Sequence, residues 1–156
     1  MIPAAFDYVR AGSAEEAISL IGEHGEDAKF LAGGHSLLPL MKLRLAQPTV
    51  LVDIGRVPDL SYIRDAGDHV AIGALTRHMD VETSALLKEH VPLLAHAAGH
   101  VGDPQVRHRG TIGGSIANAD PAAGPTGSTF TVTLPRRGQQ DRMDSMMTSA
   151  AQKAGE

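Results

Sequence analysis

The sequence predicts an α/β fold made of two small subdomains, and three observations carry that prediction. Residues 1–55 alternate strand-like and helix-like apolar patterns. Two glycine pairs, Gly33-Gly34 and Gly113-Gly114, stand where such elements change over. Apolar residues make up 42% of a 156-residue chain that has no cysteine, so packing rather than disulfides must hold it together.

The elements follow in order. Phe6 to Arg10 reads as a short opening strand. Ser13-Ala14-Glu15-Glu16 has the form of a capping box, and Ala14, Ala17, Ile18 and Ile21 repeat at helical spacing, which predicts a helix from Ala14 to Glu23. Lys29 to Ala32 reads as a buried strand entering the Gly33-Gly34 turn. Ser36 is placed to cap a helix from Leu37 to Leu45, with Pro39 tolerated in its first turn. Thr49 to Ile54 is a further strand. This β-α-β-α-β series over 1–55 favours a partly parallel sheet with right-handed crossovers.

A second subdomain is expected from residue 56. Leu60 to Arg64 and His69 to Gly73 read as strands around the turn at 65–68. Thr76 to Leu87 reads as one helix and Pro92 to His100 as another, stopped by Gly102-Asp103-Pro104. From Gly124 the character changes. Thr129 to Leu134 alternates like a strand, but Pro135 to Glu156 has only a weak Met143, Met146, Met147 cluster, so 124–156 reads as a divergent, loosely ordered tail.

Composition excludes several classes of function. Without cysteine, the chain itself holds no Fe–S cluster, thiolate zinc site or cysteine nucleophile. A formal net charge of −4 and 3% aromatic residues argue against nucleic acid as a partner. No apolar run approaches the roughly 20 residues of a membrane span. The first residues lack the basic and apolar regions of a signal peptide, so the cytoplasm is the expected compartment.

The glycine segments carry the chemistry. Phosphate groups bind where backbone N–H groups converge and no side chain blocks close approach. Phe30-Leu31-Ala32-Gly33-Gly34-His35-Ser36-Leu37 meets that requirement, with a strand before the glycines and a helix after them. Thr111-Ile112-Gly113-Gly114-Ser115 again pairs hydroxyls with adjacent glycines. An isolated glycine pair also serves as a plain tight turn. Neither the G-x-G-x-x-G nor the G-x-x-x-x-G-K-[ST] fingerprint is present, which disfavours a Rossmann or P-loop site.

Other candidates are weaker. His96 and His100 stand at i, i+4, but no third ligand accompanies them, so they read as surface or packing histidines and no metal site is assigned. Arg107 and Arg109 suit contact with a phosphate or a partner, or form a solvated pair before Gly110. Lys42 leans structural. Asp120 suits a ribose hydroxyl or a turn before Pro121. No catalytic side-chain constellation is defined.

The run A-G-G-H-S-L-L-P-L-M-K-L-R-L at 32–45, followed by D-P-Q-V-R-H-R-G-T-I-G-G-S-I-A-N-A-D-P-A at 103–122, closely resembles the FAD-binding medium subunit of aerobic carbon monoxide dehydrogenases and of molybdenum hydroxylases in general. The resemblance covers residues 1–123. It implies a PCMH-type FAD-binding domain of two α/β subdomains, with 1–55 as the first and 56–123 as an incomplete second. Leu31 to Leu38 would cradle the FAD diphosphate, Thr111 to Ser115 would contact it from the second subdomain, and Val101 would lie near the cofactor. The implied partners are a molybdopterin-binding large subunit and a [2Fe–2S] small subunit, whose electrons the flavin passes to an external acceptor. Relatives continue past the second motif with an acidic residue where this chain has Gly124. That departure raises the alternative of a truncated, non-catalytic remnant without competent flavin binding, and this chain alone is expected to bind FAD weakly or not at all. A flavoprotein outside the molybdenum group, of the cell-wall UDP-sugar reductase class, is the third reading.

Overall fold

The computed structural model describes residues 2–119. Its first part is a three-stranded, wholly parallel sheet of β1 (Asp7–Arg10), β2 (Ala28–Leu31) and β3 (Val50–Asp53), in the order β1-β3-β2. The last strand in sequence thus lies in the middle, with Val50 opposite both Asp7 and Ala28. Sequence explains the choice: Val50-Leu51-Val52 is an unbroken apolar run, suited to burial on both faces, and all three residues are buried.

Helix α1 (Ala14–His24) connects β1 to β2. Ser13 Oγ accepts the Glu16 N–H at 3.1 Å, while Glu16 Oε2 accepts the Gly12 N–H at 2.7 Å, so the reciprocal cap reaches one residue further back than the usual box. Gly25, at φ +63°, ends the helix. Helix α2 (Leu37–Lys42) connects β2 to β3 and stops short of the expected Leu45. Arg44 takes a left-handed φ of 57°, and the Leu45 and Ala46 N–H groups both fold back on the Leu40 carbonyl. The core here is Ala11, Ala17, Ala28, Val50 and Val52, flanked by Val9, Leu20, Ile21 and Ile54. Small residues dominate it, which lets α1 lie close on the sheet.

The second part begins with an antiparallel pair, β4 (Ile63–Asp65) and β5 (Val70–Ile72). Both strands are shorter than expected, because Pro58–Leu60 forms a 3₁₀ turn and Leu60 leaves the strand. The single helix expected over 76–87 is two, α3 (His78–Thr83) and α4 (Ala85–His90). Ser84 breaks it: at ψ 120° its backbone is extended, and its Oγ accepts the Leu87 N–H. Helix α5 (Pro92–Gly99) forms where the sequence places it.

Asp103-Pro104, read as a helix stop, is a helix start. Asp103 Oδ1 accepts the Val106 N–H at 2.9 Å and Pro104 opens α6 (Pro104–Arg109). Helix α7 (Ile112–Ala119) follows directly. Val81, Leu87, Val91, Ala95 and Ala98 form this core, against Ile63, Val70, Ile72, Leu94 and Ile112. Asp120, the expected strand 129–134 and the methionine cluster lie outside the described residues.

Candidate functional site

The first glycine segment leaves β2 at the carboxyl edge of the parallel sheet, where open α/β sheets characteristically take their ligands. Gly34 sits at φ +76°, a conformation that side chains resist, and the Leu31 and Leu38 side chains close in around its Cα. Gly33 is more constrained still. A Cβ there would lie 2.2 Å from the Arg109 carbonyl oxygen and 3.0 Å from the Gly110 Cα. The two glycine segments, 77 positions apart in the chain at Gly33 and Gly110, therefore meet backbone to backbone.

The N–H groups of Gly33, Gly34, His35, Ser36 and Leu37 donate to no described residue; the first engaged amide is that of Leu38, to the Gly34 carbonyl at 3.1 Å. Ser36 occupies the position before α2, but its hydroxyl does not cap the helix as the sequence suggests, because its backbone is already helical there (φ −98°, ψ −50°). His35 and Ser36 are exposed, Leu37 is half-buried, and Ala32 lines the turn below them. Nearby, Asp53 is fully engaged. It accepts the Tyr8 hydroxyl on Oδ2 and the Gly55 N–H at 2.7 Å on Oδ1, which braces the end of β3.

The second segment is built differently. The Ile112 N–H donates to the Thr76 carbonyl at 3.0 Å, the Gly113 N–H to the Ala74 carbonyl at 2.9 Å, and the Gly114 N–H to Thr111 Oγ1 at 3.2 Å. A Cβ on Gly113 would lie 2.7 Å from both Ala74 Cβ and Ala74 O. Its glycines let two backbones touch. Thr111, only 7% exposed, bridges to Arg77 across the same clip.

His78 completes this region and was not singled out in the sequence, where it is a lone histidine with no spacing partner. Its N–H donates to the Gly110 carbonyl at 3.0 Å, and its Nε2 lies 2.9 Å from Ser115 Oγ. Burial pushes its pKa below the ordinary 6.5, so the ring is neutral near pH 7.

The remaining candidates separate from this junction. Arg107 Nε lies 2.9 Å from Glu82 Oε2 in an ion pair that ties α6 to α3, although the two atoms are not aligned as a hydrogen bond. This engages Arg107 structurally. Arg109 meets the first segment through its carbonyl, with its residue otherwise exposed. Val101 is half-buried and precedes α6, whose six residues span about 9 Å and separate it from Gly110. Its carbonyl accepts Arg107 Nη1 at 3.4 Å. The His96 and His100 rings lie 4.6 Å apart, and His100 Nδ1 is 3.0 Å from the His96 carbonyl. Lys42 is exposed at the end of α2. Among the described residues, no group of three His, Cys, Asp or Glu converges as a metal site, and no helix is long and apolar enough to cross a membrane.

The chain is similar to known proteins along most of its length. Residues 4–134 match the family described as the FAD binding domain in molybdopterin dehydrogenase. The match continues beyond residue 123, where the motif-based resemblance ends. The carbon monoxide dehydrogenase medium chain of Hydrogenophaga pseudoflava is 54% identical over 121 residues, which is 78% of this chain and 42% of that one. A 6-hydroxypseudooxynicotine dehydrogenase complex subunit alpha of Paenarthrobacter nicotinovorans is 51% identical over 123 residues, 79% of this chain and 42% of that one. The solved carbon monoxide dehydrogenase of H. pseudoflava superposes with a TM-score of 0.75 at 49% identity, covering 81% of this chain and 50% of that one. The chain thus spans about half the length, or less, of the relatives it matches. With both glycine segments in place and matched along most of its length, the chain belongs to the family of FAD-binding domains of molybdopterin dehydrogenases.

Proposed function

We propose that this chain forms the diphosphate-holding part of the flavoprotein subunit of a molybdenum-dependent dehydrogenase of the carbon monoxide dehydrogenase type. The observation that carries this reading is the run of five backbone N–H groups, Gly33 to Leu37, that have no acceptor among the described residues. They surround a turn that only glycine can make. Unpaired amides next to a helix start are suited to ionised phosphate oxygens, and the absence of a Cβ at Gly33 and Gly34 permits close approach. The residues present therefore fit FAD at its diphosphate. Leu31, Ala32 and Leu38 form the apolar base of the turn, His35 and Ser36 add exposed side-chain donors, and Leu37 contributes its amide.

Thr111, Ile112, Gly113, Gly114 and Ser115 complete the site from the other side. Four amides in that run, those of Ile112 to Ser115, are internally engaged, so their contribution to a ligand comes from the Ser115 hydroxyl and from the bare glycine surface. Val101 is assigned to the cofactor region on the family resemblance. FAD, when bound, supplies the redox chemistry, and the protein contributes binding and electrostatic tuning. No residue of this chain is assigned a catalytic role. Electrons would reach the flavin from [2Fe–2S] clusters on a small partner chain, downstream of a molybdopterin-bearing large chain, in the cytoplasm. The absence of cysteine agrees with that division of labour. The match to a molybdopterin dehydrogenase family favours this reading over a flavoprotein of another class.

Titration of the purified chain with ADP, FAD and FMN tests the proposal. ADP and FAD should compete for one saturable site, and FMN, which lacks the diphosphate, should bind more weakly. Equal binding of FMN and ADP, or no competition, would overturn the diphosphate reading. Co-purification with a molybdopterin-bearing chain and a cysteine-rich chain tests the partner assignment.

A further inference from the structure

His78 stands outside both glycine segments, yet its imidazole reaches into the second. It opens α3, its ring lies against Gly110, where an added Cβ would sit 3.1 Å from Cδ2, and it is 5% exposed. Its Nε2 is 2.9 Å from Ser115 Oγ, while Ser115 itself is exposed. One hydroxyl therefore has a buried ring on one side and solvent on the other, on the stretch of chain that begins at the Gly33–Arg109 contact.

A serine hydroxyl has one proton to donate. With Nε2 as acceptor, that proton points inward and Ser115 offers only lone pairs outward, which repel an anion. With the proton on Nε2, the imidazole donates to Oγ and the serine proton is free to point outward. No described residue hydrogen-bonds Nδ1, whereas a proton on Nε2 has a protein acceptor in Ser115 Oγ. Burial keeps the ring neutral, which makes the choice of tautomer the deciding variable.

We propose that His78 is a positioning residue: as the Nε2–H tautomer it donates to Ser115 Oγ and turns the serine proton outward, making that hydroxyl a donor to an anionic ligand at the junction of the glycine segments. This rests on the diphosphate reading above. Two donors in series toward one anion also polarise each other, which strengthens both.

The test uses the full chain with ¹⁵N-labelled histidine side chains, read by long-range proton–nitrogen NMR near neutral pH, with ADP as the probe. His78→Gln identifies the His78 signals by their loss. The expected result is a neutral Nε2–H ring whose Nε2 resonance moves on ADP addition. Ser115→Ala should abolish that movement and weaken ADP about 5-fold, the effect of one hydrogen bond. His78→Leu should weaken ADP by the same factor, the double variant no further, and His78→Gln, which retains an N–H donor, by less. An Nδ1–H ring in a chain that binds ADP overturns this inference alone, as do unchanged affinity in Ser115→Ala or additive losses in the double variant. No ADP binding by the unaltered chain overturns both this and the diphosphate reading.

Discussion

The two glycine segments share a Gly-Gly pair and use it for opposite purposes. From Gly33 to Leu37 five consecutive amides have no acceptor among the described residues, and Gly34 turns the chain at positive φ. At Gly113-Gly114 both amides are engaged, and the missing side chain of Gly113 allows the backbone to press onto Ala74. On the proposed function, the first segment receives the ligand and the second supports it. The same dipeptide is thus ambiguous until the destinations of its hydrogen bonds are known.

That contrast yields separable effects. The largest is expected for Gly33→Ala, whose Cβ would sit 2.2 Å from the Arg109 carbonyl oxygen. Neither backbone can yield easily, so the substitution should destabilise by about 2–3 kcal/mol and reduce ADP binding more than 10-fold (roughly, from the cost of overpacking). Thermal melting and ADP titration report the two losses, and intact ADP binding would break the comparison.

Gly113→Ala should cost about 1–3 kcal/mol by the same overpacking against Ala74. At temperatures where the variant stays folded, ADP affinity should remain within about 3-fold, less than one charged hydrogen bond. A melting shift with preserved binding sharpens the division between supporting and receiving segments; the reverse pattern would abolish it.

A smaller effect is expected at the Glu82–Arg107 pair. Glu82→Gln leaves the guanidinium, 14% exposed at its side chain, without its partner. The loss should be about 1–2 kcal/mol, below the roughly 3–5 of a fully buried pair because Glu82 remains 32% exposed. Urea denaturation measures it, and unchanged ADP affinity would confirm that Arg107 supports α6 rather than the ligand.

The smallest effect concerns acid. His78 has a folded pKa below its unfolded value near 6.5. The unfolded chain therefore binds the proton first as pH falls, and stability is lost from 6.5 downward until the folded ring also protonates. Above 6.5 the residue imposes no such penalty. His78→Gln should flatten this part of the stability profile, and an unaltered slope between wild type and variant would exclude His78 as its source.

Much of the first part was legible in the sequence, because its signals are local. Ser13 and Glu16 cap α1 where they stand, and Val50-Leu51-Val52 announces a buried strand. The strand order was not legible, since pairing of β3 with both β1 and β2 is a long-range choice. Helix α6 carries only Val106 as an aliphatic residue and so has no apolar periodicity; its one signal, Asp103 before Pro104, fits a start as well as a stop. Helix α7 was hidden by Gly113 and Gly114, which lower helix propensity, although Gly113 packs on Ala74. The glycine segments themselves were visible as candidates. Their division of labour, and His78 behind Ser115, depend on hydrogen bonds between residues 37 positions apart or more, which no local pattern encodes.

The central place of β3 also sets an order of events during synthesis. Strands β1 and β2 do not pair with each other, so neither has a ladder partner until Val50–Asp53 has emerged. Loop closure from Arg10 to Asp53 must therefore precede sheet formation, which makes nucleation here slower than in a hairpin. The Gly33-Gly34 turn follows β2 and lies against the Arg109 carbonyl, so its full set of contacts requires chain more than 70 residues downstream. On the proposed function, a nascent chain captures a nucleotide only once most of both cores exist.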